Sequence, residues 1–363
     1  MQDMIARQEI AGAVTVVVSN DKTLHLEATG QANVETARAM APDNLCWIAS
    51  MTKPVTGVAL LMLQDEGRLA LSDPVAKFIP EFASLKTPSG KPADLTVTQI
   101  LTHTSGLGEA GGPAAQVAQT LAALVPHWVA AKMQFEPGAK WQYNQAGINV
   151  AGRIVEVLSG QSFDAFLQKR LFDPLGMKDT TFYPTEAQRQ RLATAYSKDK
   201  ESGRLNPVPL RAGYDGLRTR PPLGNGGLFS TGPDYARFCQ MLLNRGTFGG
   251  RRLLSEAAVR YLTVVHTGEL PTGFFQSETY GRRGHNYGWG IGTCVLRTPH
   301  EGAAEELSPG SFGHGGAWGT QAWIDPTRGV AYVLMVQRAN FPNSDASDVR
   351  RSFQAAAAAA LRR

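Results

Sequence analysis

The chain has 363 residues, enough for one large domain or for two that share an interface. Its 43% hydrophobic and 18% charged content is that of an ordinary globular chain, and a net charge of +5 spread without long basic runs implies no nucleic-acid partner and no charged membrane footprint. Cys46, Cys239 and Cys294, far apart and odd in number, fit neither a disulfide framework nor a zinc site, and no run reaches the roughly 18 apolar residues of a membrane span.

The opening MQDMIARQEI lacks the apolar core of a secretory signal and reads as part of an amphipathic helix. Localisation stays open, with the cytoplasm slightly preferred and a periplasmic or secreted location left as the alternative if a leader has been trimmed. Residues 13–20 and 22–29 are β-branched or alternating runs around a short turn and predict a hairpin. Cys46, beside Trp47 and Ile48, reads as a buried strand residue rather than a reactive thiol. Residues 51–64 form an apolar stretch ending at Gly67, as a buried helix of about four turns would. Short helical pieces divided by Pro80, Pro88, Pro92 and Pro113 follow. A brief helix over 96–101 ends on His103-Thr104-Ser105-Gly106, and a longer one over 116–133 is interrupted near Pro126. Tyr143 follows the Pro137-Gly138 turn at the head of a periodic helix over 145–158.

From 180 to 222 the chain is polar and arginine-rich without periodicity, predicting long surface connections. LGNGGLFSTG (223–232) lacks the Gly-Lys-Ser/Thr of a phosphate loop and reads as a tight turn. A helix over 233–243, strands over 289–296, 319–324 and 330–337, and an alanine-rich terminal helix over 345–361 complete the pattern. Strands at both ends with a helical middle predict an α+β fold: a mixed domain with a central antiparallel sheet flanked by helices, built from residues 1–75 and 220–363, with a mostly helical domain, 76–219, inserted. Strict strand–helix alternation is missing, which disfavours a parallel doubly wound sheet.

Chemistry concentrates at Ser50-Met51-Thr52-Lys53. Positions i and i+3 share a helix face, so the hydroxyl and the amine point the same way. At the helix N-terminus the hydroxyl also meets unpaired amides that favour developing negative charge. An amine able to take its proton makes such a serine an activated nucleophile. Ser197-Lys198-Asp199-Lys200 has the same spacing but lies in a charged stretch that reads as a solvated loop. Lys53 instead opens an apolar helix, and a buried lysine needs a reason. There is no G-x-S-x-G elbow, no H-E-x-x-H and no paired-cysteine spacing, so the sequence points to neither an α/β-hydrolase nor a metal site, and to no cofactor.

Two further stretches carry useful residue types. FEPGAKWQYNQ (135–145) sets Tyr143 on a turn entering a helix, and FGHGGAWG (312–319) is a small-residue strand flanked by aromatics, open to close approach by a ligand. His103 is read as a structural residue at a helix end, His285 as a loop histidine, and Trp289 and Trp318 as either walls of an apolar acyl pocket or core.

In this order, IASMTKPVTGVALLMLQDEGRLALSDPV, ILTHTSGL, PGAKWQYNQAGINVAGRIVEVLSG, GNGGLFSTGPDYARF and FGHGGAWGT resemble segments of the serine β-lactamase and penicillin-binding-protein superfamily. The likeness is greatest to its class C β-lactamase-like branch, which includes the family VIII carboxylesterases, and it covers nearly the whole chain. It implies Ser50 as the acyl-accepting nucleophile, Lys53 and Tyr143 as the general-base pair, and the amides of Ser50 and Ala317 as the oxyanion hole. It further implies Gln145, His314, Gly315, Gly316 and Trp318 at the substrate. Two departures stand out. Tyr143-Asn144-Gln145 replaces the usual Tyr-x-Asn, and His314-Gly315-Gly316 replaces Lys-Thr-Gly. The missing lysine removes a fixed charge for a β-lactam's carboxylate. The expectation is therefore a carboxylesterase for short-acyl, uncharged esters, acting on a small-molecule ester or amide. The alternatives are a β-lactamase, a D-amino-acid peptidase or amide hydrolase, an acyltransferase, and a non-turning acyl-binding sensor.

Overall fold

The computed structural model describes residues 1–210, 218–272, 283–299, 305–341 and 347–361. The predicted hairpin forms as β1 (Gly12–Ser19) and β2 (Thr23–Asn33), followed by the short β3 (Arg38–Ala39). The remaining strands of the same sheet come from the far end of the chain. They are β4 (Tyr287–Trp289), β5 (Cys294–Leu296), β6 (Phe312–Gly315), β7 (Gln321–Asp325) and β8 (Val330–Met335). The spatial order is β4-β5-β6-β7-β8-β1-β2-β3, antiparallel at every pairing, with β8 closing on β1 in the register Val14↔Met335 to Ser19↔Val330. The two ends of the chain thus make one sheet, as expected for an α+β fold.

Alternation along β1 explains its burial on both faces. Val14, Val16 and Val18 enter the main core, while Ala13 and Val17 enter a second layer with Tyr332, Leu334 and Phe353. Four helices frame the sheet and the site: α1 (Thr52–Asp65), α2 (Gln145–Ser159), α3 (Gly232–Leu243) and α4 (Asp348–Leu361). Residues 52–63 of α1 are all buried, as in a helix that is apolar all round. It packs against α2, α3 covers β1 and β8, and α4 covers the opposite face of the sheet.

Several predicted boundaries shift for local reasons. The strand expected over 289–296 is β4 and β5, folded back on each other through a turn in which Gly292 adopts φ +74°. The expected 116–133 helix starts only at Leu121, where Thr120 caps Ala123 N at 3.1 Å, and then passes through Pro126 to Ala130. The 180–222 stretch is not merely connecting chain. It holds a helix, Glu186–Gln190, with a Thr185/Gln188 capping box, and a strand pair, Ala195–Lys198 with Leu205–Val208. Its residues 211–217 and the first residues of the predicted 345–361 helix lie outside the described residues.

Candidate active site

Ser50 lies in a single 3₁₀ turn, Ala49–Met51, that runs directly into α1. Ala49 is held at φ 45°, a left-handed conformation that disfavours any residue with a Cβ by about 1–2 kcal/mol. Neighbouring hydroxyls secure the turn. Thr52 Oγ1 donates to Ala49 O at 2.7 Å and accepts Leu228 N at 3.2 Å, while Tyr235 OH donates to Met51 O at 2.7 Å. The kink presents the serine at the helix mouth instead of burying it with the rest of α1.

One turn on, Lys53 is 0% exposed, and its Nζ donates to Ser50 Oγ at 3.0 Å and to Asn225 O at 2.7 Å. From 93 residues away, Tyr143 OH donates to the same Ser50 Oγ at 2.9 Å, and Lys53 Nζ stands 4.5 Å from the centre of the Tyr143 ring. The three side chains singled out in the sequence therefore meet at one oxygen. An ammonium against a phenol face is itself favourable, and a hydroxyl held by two groups of this chemistry can lose its proton to either when that group is deprotonated.

An aromatic box surrounds Tyr143. His103 lies 4.5 Å, His314 6.1 Å and Trp289 6.2 Å from it between ring centres, and Trp289 is 4.8 Å from His103 and 5.6 Å from His314. His103 does end its helix, at φ 61°, as a structural residue should. It also does more, since its Nδ1 accepts Asn144 N at 3.1 Å and its O accepts Gln142 N at 2.9 Å, bracketing Tyr143. Burial above all, then the nearby Lys53 and His314, hold the His103 imidazole well below its usual pKa. His314 is 3% exposed and donates from Nδ1 to Gly315 O at 2.6 Å. Burial, reinforced by the charge of Lys53, pushes its pKa down to about 3. It is neutral at physiological pH, so no fixed cation stands where the Lys-Thr-Gly lysine would.

The strand β6 reaches this centre through Gly316. A Cβ there would lie 2.1 Å from Thr320 Oγ1 and 2.6 Å from Ile48 O, so only glycine lets the turn after β6 rest on the residues leading to Ser50. Ala317 next to it is exposed, while Trp318 is half-buried and turned edge-on to Trp47 at 4.8 Å. His285 is exposed in a short helix, Arg283–Asn286. Cys46 is buried in a two-residue strand, Cys46–Trp47, where desolvation raises its thiol to about 12, so it is inert as read from the sequence.

Two residues at the site escaped the sequence reading. Asn225, in the glycine-rich turn, gives its carbonyl to Lys53 and its Nδ2 to Gln145 Oε1 at 2.8 Å, and its N donates to Asn149 Oδ1 at 3.1 Å. A backbone acceptor leaves no signal in residue type. Glu109 receives Gln145 N at 2.5 Å and Ala146 N at 3.0 Å. A carboxylate two residues beyond the leucine of T-H-T-S-G-L was the signal available.

The fold agrees with what the chain is similar to. It belongs to the beta-lactamase family, whose model matches residues 1–357, and it is a serine hydrolase. Protein Rv1367c of Mycobacterium tuberculosis is 33% identical over 355 residues, covering 90% of this chain and 86% of the relative. Esterase EstB of Burkholderia gladioli is 29% identical over 362 residues, covering 92% and 88%. Among solved structures, EstCE1, described as a hydrolase with promiscuous acyltransferase activity, superposes with a TM-score of 0.80 over 98% of this chain and 95% of its own at 22% identity, a likeness of fold.

Proposed function

We propose that this serine hydrolase is a carboxylesterase acting on short-acyl, uncharged esters through an acyl-enzyme on Ser50. The observation that carries the reading is the convergence of Lys53 Nζ and Tyr143 OH on Ser50 Oγ, at 3.0 and 2.9 Å. Ser50 Oγ attacks the ester carbonyl as its proton passes to the Lys53–Tyr143 pair, forming the Oγ–C bond and an oxyanion. The amides of Ser50 and Ala317 receive that oxyanion. When the intermediate collapses, the C–O bond to the alcohol breaks and the pair returns the proton to the leaving oxygen. Water then repeats the sequence and frees the acid and Ser50.

The choice of ester over β-lactam rests on His314. A neutral imidazole engaged with Gly315 O offers an anionic substrate less than a lysine does. Gln145, Gly315, Gly316 and Trp318 are assigned to the walls that hold the acyl and alcohol groups. The esterase named among the relatives supports the same choice.

The test is a panel of p-nitrophenyl acetate and butyrate beside nitrocefin, followed through burst and steady state, with Ser50→Ala in parallel. Steady ester turnover, little nitrocefin turnover and total loss in Ser50→Ala are expected. Undiminished turnover by Ser50→Ala removes the nucleophile assignment. Nitrocefin as the better substrate makes the chain a β-lactamase, and a burst with no steady state makes it an acyl-binding sensor.

A further inference from the structure

Residues 102–109 close over the Tyr143 segment from one side. His103 takes the amides of Gln142 and Asn144, and Leu107 O takes Asn144 Nδ2 at 2.9 Å. Glu109 completes the clamp. Its Oε1 accepts Gln145 N at 2.5 Å and Asn144 Nδ2 at 3.0 Å, and its Oε2 accepts Ala146 N at 3.0 Å. These amides open the 15-residue α2, where N–H groups lack intrahelical partners and the helix dipole favours an anion. Asn144 already caps the helix locally, its Oδ1 accepting Gly147 N at 2.7 Å. Glu109 is therefore a second cap, supplied from 36 residues away and applied directly beside the catalytic phenol.

We propose that Glu109 is a positioning residue for Tyr143. By anchoring residues 144–146 it aims the phenol at Ser50, and it slackens that aim when it takes a proton. The proposal rests on the serine-hydrolase reading of Ser50, Lys53 and Tyr143. Its physical basis is leverage: a catalytic group misplaced by about 1 Å costs about 10²-fold in rate. The amides of Gln145 and Ala146, and after them the charge of Lys53 on α1, favour the carboxylate. The segment 144–146 adds no ionisable side chain, and burial holds the His103 imidazole on the same loop well below its usual pKa. Partial desolvation against these groups raises the Glu109 pKa, although the residue itself is exposed to solvent. As pH falls, Glu109 is thus protonated earlier than an ordinary glutamate and loses acceptor capacity at α2, so activity falls on the acid side.

The experiment measures p-nitrophenyl butyrate turnover and the rate of fluorophosphonate labelling of Ser50 from pH 4 to 8, in wild type, Glu109→Gln and Glu109→Asp. In Glu109→Gln at pH 7, kcat and labelling rate are expected to fall together about 10-fold, with KM within twofold. The acid limb owed to Glu109 disappears, because an amide does not titrate. Glu109→Asp, which keeps the charge on a shorter arm, recovers part of the rate and the acid limb. Wild-type rates in Glu109→Gln, or a lower melting temperature with an unchanged acid limb, overturn the proposal. If Glu109→Gln does not fold, Glu109→Asp decides, since a wild-type rate together with an unshifted acid limb in that variant overturns the proposal too. A wild type whose Ser50 neither labels nor turns over removes the serine-hydrolase reading itself. A reactive wild type with indifferent Glu109 variants removes only the role of Glu109.

Discussion

The two ends of the main sheet make different use of the same side-chain types. At the far end, a groove of about 810 Å³ lies between β1, β2 and α4, lined by residues including Thr15, Val17, His25, Glu27, Phe353 and Ala357. Some of its polar groups stand close to one another. Thr15 Oγ1 and His25 Nε2 stand 2.8 Å apart, and His25 lies 4.0 Å from Glu27. At the β6 end the polar groups are buried instead. His103 Nε2, His314 Nε2 and Trp289 Nε1 are buried with no hydrogen-bond partner among the described residues, and a lysine is fully buried. Each orphaned polar atom costs about 1–3 kcal/mol. The contrast teaches that a concavity and a cluster of buried titratable groups are separate features, and it is the second that carries perturbed pKa values here.

The sharpest way to break this contrast is to disarm the β6 end. Lys53→Ala and Tyr143→Phe are each expected to lower kcat for p-nitrophenyl butyrate by about 10² to 10⁴, the range of general-base assistance, and near-wild-type rates in both would leave the serine without a base. Gly316→Ala should come next in size. Its methyl group must push the turn away from Ile48 O and so displace the Ala317 amide. About 10²-fold in kcat is expected, as for one lost oxyanion donor, with circular dichroism reporting a retained fold.

A smaller change tests charge. His314→Lys restores a cation, and kcat/KM for nitrocefin should rise roughly 10-fold while butyrate hydrolysis does not, since a charge-assisted hydrogen bond is worth about 1.5–3 kcal/mol. Because wild-type His314 gains its proton only near pH 3, His314→Gln should leave the shape of the pH–rate profile between 5 and 8 unaltered. An inflection near 6.5 that vanishes in this variant would contradict a neutral His314. The least effect is expected at the other end, where Thr15→Val in the groove should keep kcat and KM within twofold. A larger loss would show that the two ends are coupled.

Much of the architecture was legible because it derives from local pattern. The hairpin, the apolar α1, the helix after Tyr143 and the glycine-rich strand all carry periodicities or turn residues that neighbours in sequence enforce. The 186–190 helix was missed although Thr185 and Gln188 spell its capping box, because its few residues carry no apolar stripe. The split of 289–296 into β4 and β5 was missed for a different reason. Its glycines permit a turn but do not demand one, and packing supplies the demand, with Gly57 of α1 so close to Ile291 O that a Cβ would lie 2.5 Å from it.

By itself the sequence pointed to the pairing of Ser50 with Lys53, because the apolar run that follows Ser50 predicts a helix, on which positions three apart share a face. It also determined that Lys53 opens an apolar segment and that glycine stands where backbone must approach backbone. Only the tertiary structure decided that Tyr143 reaches Ser50 across 93 residues, that Asn225 holds Lys53 through a carbonyl, and that Glu109 caps a helix it does not belong to. It also decided that His314 is neutral. The physical reason is common to all four: closure of long loops and removal of water are properties of the folded whole, and neither is written in the spacing of neighbours.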